Sequence, residues 1–174
     1  NPSGDQEWPG FVAHAIMEHH AKLTSAMKTV RTLEKLNDPR RAPQLEMAKA
    51  NVLVEMGHLS HFTGDTAQPL HTTRHHHGWV GENPKGYTTD RGIHSYIDGK
   101  ILEIHRLDYA SLKPSAQPAA AINPVDPWKD VLAYLQRSHD EVEPLYALKQ
   151  SGELEKDTGK AFITERLTDA GAML

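Results

Sequence analysis

The sequence predicts an all-α fold: a single-domain helical bundle over residues 1–174 with about five main helices. Three observations predict it. Apolar residues recur every three or four positions over long stretches, the period that lays them along one helix face. Asn37-Asp38-Pro39, Pro69 and Ser151-Gly152 punctuate those stretches as breakers. No convincing run of strands and no internal repeat interrupts the pattern. A chain of 174 residues is one domain by length and can bury a sizeable core.

Residues 1–9, with Pro2, Gly4 and Pro9, read as a leader loop. A first helix runs from about Phe11 to Leu36, with Val12, Ile16, Leu23, Met27, Val30 and Leu33 recurring on one side. A second starts near Pro43, a suitable first-turn residue, and carries Leu45, Ala48, Val52, Met56, Leu59 and Phe62 before stopping ahead of Pro69. Residues 72–91 form a long loop rich in glycine, a length that is usually functional or mobile in a compact domain. A third helix spans about Arg91 to Leu112, with Ile93, Tyr96, Ile97, Ile101, Ile104 and Leu107 as its core face. Four prolines in residues 113–127 make an irregular linker. Asp126-Pro127 caps a fourth helix through Trp128, Val131, Leu132, Leu135 and Val142, with a kink or break at Pro144. A final helix from about Thr158 presents Phe162, Ile163, Leu167 and Met173.

The formal charge of −4, with both signs mixed along the chain, gives no basic stripe for duplex nucleic acid. No apolar run is long enough to span a bilayer. With no cysteine, disulfides and thiolate metal sites are excluded, and twelve histidines leave imidazole and carboxylate as the available metal ligands.

The chemistry concentrates between Gly57 and Asp98. His61/Asp65 and His94/Asp98 both have the spacing H-x-x-x-D. On a helix that spacing puts both side chains on one face with Cβ atoms about 5–6 Å apart, close enough to share an ion. Gln68-Pro69-Leu70-His71 follows the first pair, and Pro69 disfavours a continuous helix through it. His71 is therefore expected to serve a different ion from His61 and Asp65, together with His94 and Asp98. Two imidazoles and a carboxylate with room for water is the arrangement of a catalytic zinc site; iron, manganese and nickel suit the same donors. His14 and His19 on the first helix are candidates to reach a metal from a facing helix. His75, His76 and His77 could line a site mouth or bind an extra ion, though solvent exposure is the plainer expectation. His58 lies about 10 Å along the helix axis from Asp65 and is not expected to share its ion.

H-F-T-G-D-T-A-Q-P-L-H, followed by H-x-x-x-D at His94 and Asp98, resembles the signature of the superfamily of zinc-dependent phospholipases C and single-strand-specific zinc nucleases. The resemblance is strong over roughly residues 50–110. It implies a largely helical fold, two or three zinc ions, and hydrolysis of a phosphoester by metal-activated water. It implies that Asp65 bridges two ions, and that the substrate is a phospholipid headgroup or single-stranded nucleic acid. Trp79, Tyr87 and Tyr96 could then line a headgroup pocket or stack a base. It also implies a secreted or periplasmic protein, although no signal peptide is visible.

The chain departs from the family pattern. Family members supply the first site with another His and Asp upstream and use an N-terminal Trp plus a following His for a third ion. Here there is no His between His20 and His58, residue 1 is Asn, and Trp8 is expected to pack rather than ligate. The general-base Asp of the family has no counterpart, so His61 and Asp65 are expected to be under-ligated. The chain opens abruptly and stops within a helical pattern, which suggests a fragment cut at both ends or a processed chain. The rival reading is a non-catalytic metal-binding helical module, or a remnant with an incomplete cluster.

Overall fold

A computed structural model describes residues 10–174. The leader 1–9, with Trp8, lies outside the described residues. The fold is all-α, a single compact helical domain. Among the described residues there is no strand, only an isolated bridge between His76 and Gly78.

The first two helices make a hairpin. α1 (Val12–Leu36) ends at Asn37, which takes the left-handed conformation with φ of 46°. Asn adopts that conformation more readily than most residues and stops the helix. A 3₁₀ turn (Pro39–Arg41) follows, capped by the Asp38 carboxylate accepting from the Arg40 amide. It leads directly into α2 (Ala42–Ala67). α2 ends where Gln68 goes extended, and a second 3₁₀ turn (Pro69–Thr72) carries His71. The Gln68 side chain caps that turn by accepting from the Leu70 amide at 2.6 Å.

The expected continuous third helix is broken. α3 occupies 93–105 as a turn (Ile93–Ser95), a π turn (Tyr96–Lys100) and a last stretch (Ile101–His105). Arg106, with φ of 53°, ends it. Asp108 then caps a short α4 (Tyr109–Leu112), and a 3₁₀ turn (Lys113–Ser115) follows. The π turn has a packing consequence. Residues four apart on an α-helix drift by about 40°, because a turn takes 3.6 residues. A wider turn offsets that drift, and Ile93, Ile97 and Ile101 all stay buried. Ile104, expected in the core, is 39% exposed.

α5 (Pro127–Asp140) and α6 (Val142–Ser151) are separated at Glu141. The expected break is thus three residues before Pro144, which sits in the first turn of α6, where a missing amide leaves no intrahelical bond unmade. Gly152, with φ of 71°, closes α6. α7 (Asp157–Met173) completes the fold. It leaves Leu167 exposed and buries Arg166, which pairs with Glu165 and Asp169.

The larger core joins Leu70, Tyr87, Ile93, Ile97, Ile101, Val142, Leu145, Tyr146, Leu154 and Ile163. A smaller one joins Ala13, Ile16, Leu59 and Val131, where α1 and α2 meet α5. The outer part of the hairpin reaches beyond both cores. Met27 and Met56, expected inside, are 50% and 42% exposed. Two helices packed as a hairpin bury only the faces they share or that another element covers, and the exposure of these two residues places them outside those faces.

Candidate metal centre

The end of α2, the Pro69–Thr72 turn and the start of α3 bring three ligand atoms together. His71 Nε2 lies 2.8 Å from His94 Nε2, and His94 Nε2 lies 3.0 Å from Asp98 Oδ2. His71 Nε2 to Asp98 Oδ2 is 3.7 Å. The reach across the chain depends on Leu70, which is fully buried and anchors the turn in the larger core. Asp98 lies on the π turn, so its approach to His94 is not set by α-helical register alone.

The second ring nitrogen of His71 fixes which atom faces the cluster. His71 Nδ1 lies 3.0 Å from the Asp65 carbonyl, which can only accept. Nδ1 therefore carries a proton, and in the neutral ring Nε2 presents a lone pair. Asp98 is oriented in the same manner: Gln68 Nε2 donates to its Oδ1 at 2.9 Å, leaving Oδ2 turned to the two imidazoles. Lone pairs on three converging atoms repel unless a proton or cation sits among them. Two imidazoles and a carboxylate, with His71 and Asp98 each steered by an outer hydrogen bond, fit a divalent transition metal.

The first pair is arranged differently. His61 Nε2 lies 3.6 Å from Asp65 Oδ2, and the other Asp65 oxygen lies 3.5 Å from His71 Nδ1. Asp65 thus stands between His61 and His71 with one oxygen toward each. The His61 side chain is 66% exposed, against 25% for His71. Among the described residues, no third His, Asp or Glu joins His61 and Asp65 in a metal-sized group.

The remaining histidines are scattered in role. His77 lies beside the centre, its ring 5.0 Å from that of His94, and His76 is 6.1 Å away. Desolvation, then the neighbouring His76, His94 and Arg91, hold His77 below the ordinary imidazole value. His75 turns away and stacks flat on Trp79 at 3.9 Å. His14 packs against Trp128 and, among the described residues, joins no metal-sized group. His19 faces Glu55 and His58 instead of the centre. The aromatic residues expected to line a substrate slot are engaged internally. Tyr87 is buried against Trp79 and Tyr146, and the Tyr96 hydroxyl donates to Glu155 at 2.6 Å.

Sequence reasoning missed two contributors. Gln68 was visible as part of Q-P-L-H, but its double role as turn cap and carboxylate holder needs the fold. His139, on α5, holds the turn from outside, with Nδ1 3.0 Å from the Thr72 carbonyl; nothing in its local sequence marks it. The chain matches no family model, no curated protein and no solved structure.

Proposed function

We propose that this chain is a zinc-dependent phosphoester hydrolase of phospholipase C or single-strand nuclease type. The observation that carries the reading is the convergence of His71 Nε2, His94 Nε2 and Asp98 Oδ2. The resemblance of residues 50–110 to that superfamily supports it. Zinc held there supplies a water of lowered pKa and a Lewis acid for a phosphoryl oxygen. His71 and His94 contribute neutral nitrogens, and Gln68 keeps the Asp98 carboxylate facing inward. By the same resemblance, Asp65 and His61 would hold a second ion beside the first. The His76 and His77 rings border the centre beside His94. The same resemblance carries the proposal that the protein is secreted or periplasmic.

The test is hydrolysis of bis(p-nitrophenyl) phosphate, phosphatidylcholine vesicles and single-stranded DNA by zinc-loaded protein. Chelation should abolish activity and added zinc should restore it; activity that survives prolonged chelation rules the metal mechanism out. Vesicles or DNA as the better substrate separates the lipid and nucleic-acid classes. A second reading, a non-catalytic metal-binding module, is favoured by the two-residue His61/Asp65 pair. Zinc bound in stoichiometric amount without turnover of any of the three substrates selects it.

A further inference from the structure

A second metal-sized cluster lies where α1 packs on α2. His19 Nδ1 on α1 is 2.7 Å from Glu55 Oε2 on α2. His58, nearly one turn beyond Glu55, has its ring 4.8 Å from that of His19. One ligand atom from each of His19, Glu55 and His58 falls within 4.8 Å of the others. The His19 ring is held in plane by stacking on Phe62 at 5.3 Å. The His19 and Glu55 side chains are 14% and 21% exposed, while His58 is exposed. The group is therefore closed on the protein side and open to water at His58. Three protein ligands and an open position suit zinc.

We propose that His19, Glu55 and His58 form a separate Zn²⁺ site that pins α1 to α2. It goes beyond the phosphoester reading and does not depend on it. Asp65 is about 10 Å along the helix axis from His58, too far to share one ion. The hairpin has a use for such a pin. Its buried side chains are mostly small: Ala13, Ala48, Thr63, Thr66 and Ala67, with Ile16 and Leu59. An ion joining residues 36 apart in sequence closes a long loop of chain, and its binding free energy adds to the stability of the hairpin.

A plain hydrogen bond between His19 and Glu55 needs no ion, and the experiment separates the two cases. Zinc per chain is measured after dialysis for the full chain and for His58→Ala, Glu55→Gln and His94→Ala. Amide exchange is followed along α1 with and without zinc. His58→Ala removes an exposed ring, and Glu55→Gln can still accept from His19, so neither threatens the fold. Each should bind one zinc fewer than the unmodified chain. Zinc should slow exchange in α1 in the unmodified chain and in His94→Ala, but not in His58→Ala. Zinc content unchanged by both His58→Ala and Glu55→Gln overturns the proposal, as does zinc-independent exchange in α1 of the unmodified chain.

Discussion

His61/Asp65 and His94/Asp98 share one spacing, yet the fold treats them differently. His94 and Asp98 meet a third ligand, His71, carried by a turn whose neighbour Leu70 is locked in the core. Asp98 is held by Gln68, and His71 by the Asp65 carbonyl. His61 projects from the exposed face of α2, and only Asp65 approaches it in a metal-sized geometry among the described residues. A pair one helical turn apart is thus half a site; what packs across from it decides whether it becomes a whole one.

The largest expected effect breaks the completed half. His94→Ala or Asp98→Ala should remove one equivalent of zinc and reduce phosphoester hydrolysis to background. Metal analysis and kcat/KM on a soluble diester check this. Full zinc occupancy in both variants would rule out the assignment. Acid should act on the same ligands without mutation. Imidazole binds metal only when neutral, so zinc affinity should fall on acidification, and the activity should go with it. Equal zinc affinity at pH 7.5 and pH 5 would contradict imidazole ligation.

A sharper form of the comparison sets a non-ligand against a ligand. Gln68→Ala removes no metal-binding atom, but it frees the Asp98 carboxylate and uncaps the Pro69–Thr72 turn. Loss of such an outer partner typically costs about 10–100-fold in metal affinity. His61→Ala removes an imidazole at the site with fewer partners. The tightest zinc should therefore weaken on the order of 10-fold or more in Gln68→Ala, and change by less than about 3-fold in His61→Ala. Competitive titration with a chromophoric chelator measures both. The reverse order would mean that His61, rather than the Gln68-supported triad, anchors the dominant ion.

The helices and the histidine–aspartate pairs were legible because both rest on local periodicity. α1, α2 and α7 run within a few residues of their expected limits. The break in the third helix was not legible. Arg106 in the left-handed conformation and the π turn at Tyr96–Lys100 are tertiary outcomes, since neither stretch carries a Pro or an Asn to announce them. Exposure along the hairpin failed for a related reason. Met27 and Met56 keep a helical period, but periodicity names a face without saying what covers it. Tyr87 shows the opposite error: an aromatic residue in a loop near ligands looked like a substrate contact, and Asn83 instead folds the loop back to bury it. Asn83 Oδ1 accepts from the Tyr87 amide at 2.8 Å, and Asn83 Nδ2 donates to its carbonyl at 2.7 Å. His19, Glu55 and His58 come together only once two helices are docked.

The smallest expected effect concerns the anchor beneath the completed pair. Tyr96 lies between His94 and Asp98, and its hydroxyl donates to Glu155, which also accepts from Lys149 Nζ at 2.8 Å. The Lys149 ammonium lies 3.9 Å over the Tyr96 ring. Lys149, then Tyr96, holds the Glu155 carboxyl below its ordinary value of 4.5, while burial and then the carboxylate push the Tyr96 hydroxyl up to about 12. A carboxyl lowered in the folded state stabilises the fold above its unfolded value and loses that contribution as pH falls through the folded one. The groups are about a third exposed, so the contribution should be about 1 kcal/mol or less. In a chain of this length that is a melting shift of about 2–4 °C at most. Metal-free Glu155→Gln should therefore melt slightly below the unmodified chain at pH 7, and the gap should close as pH drops below 4.5. The matching variant at the other pair, His61→Ala, has no such anchor to lose and should show no gap of this kind. A Glu155→Gln gap that stays constant from pH 7 to pH 3 would show that the loss is one of packing, not of charge.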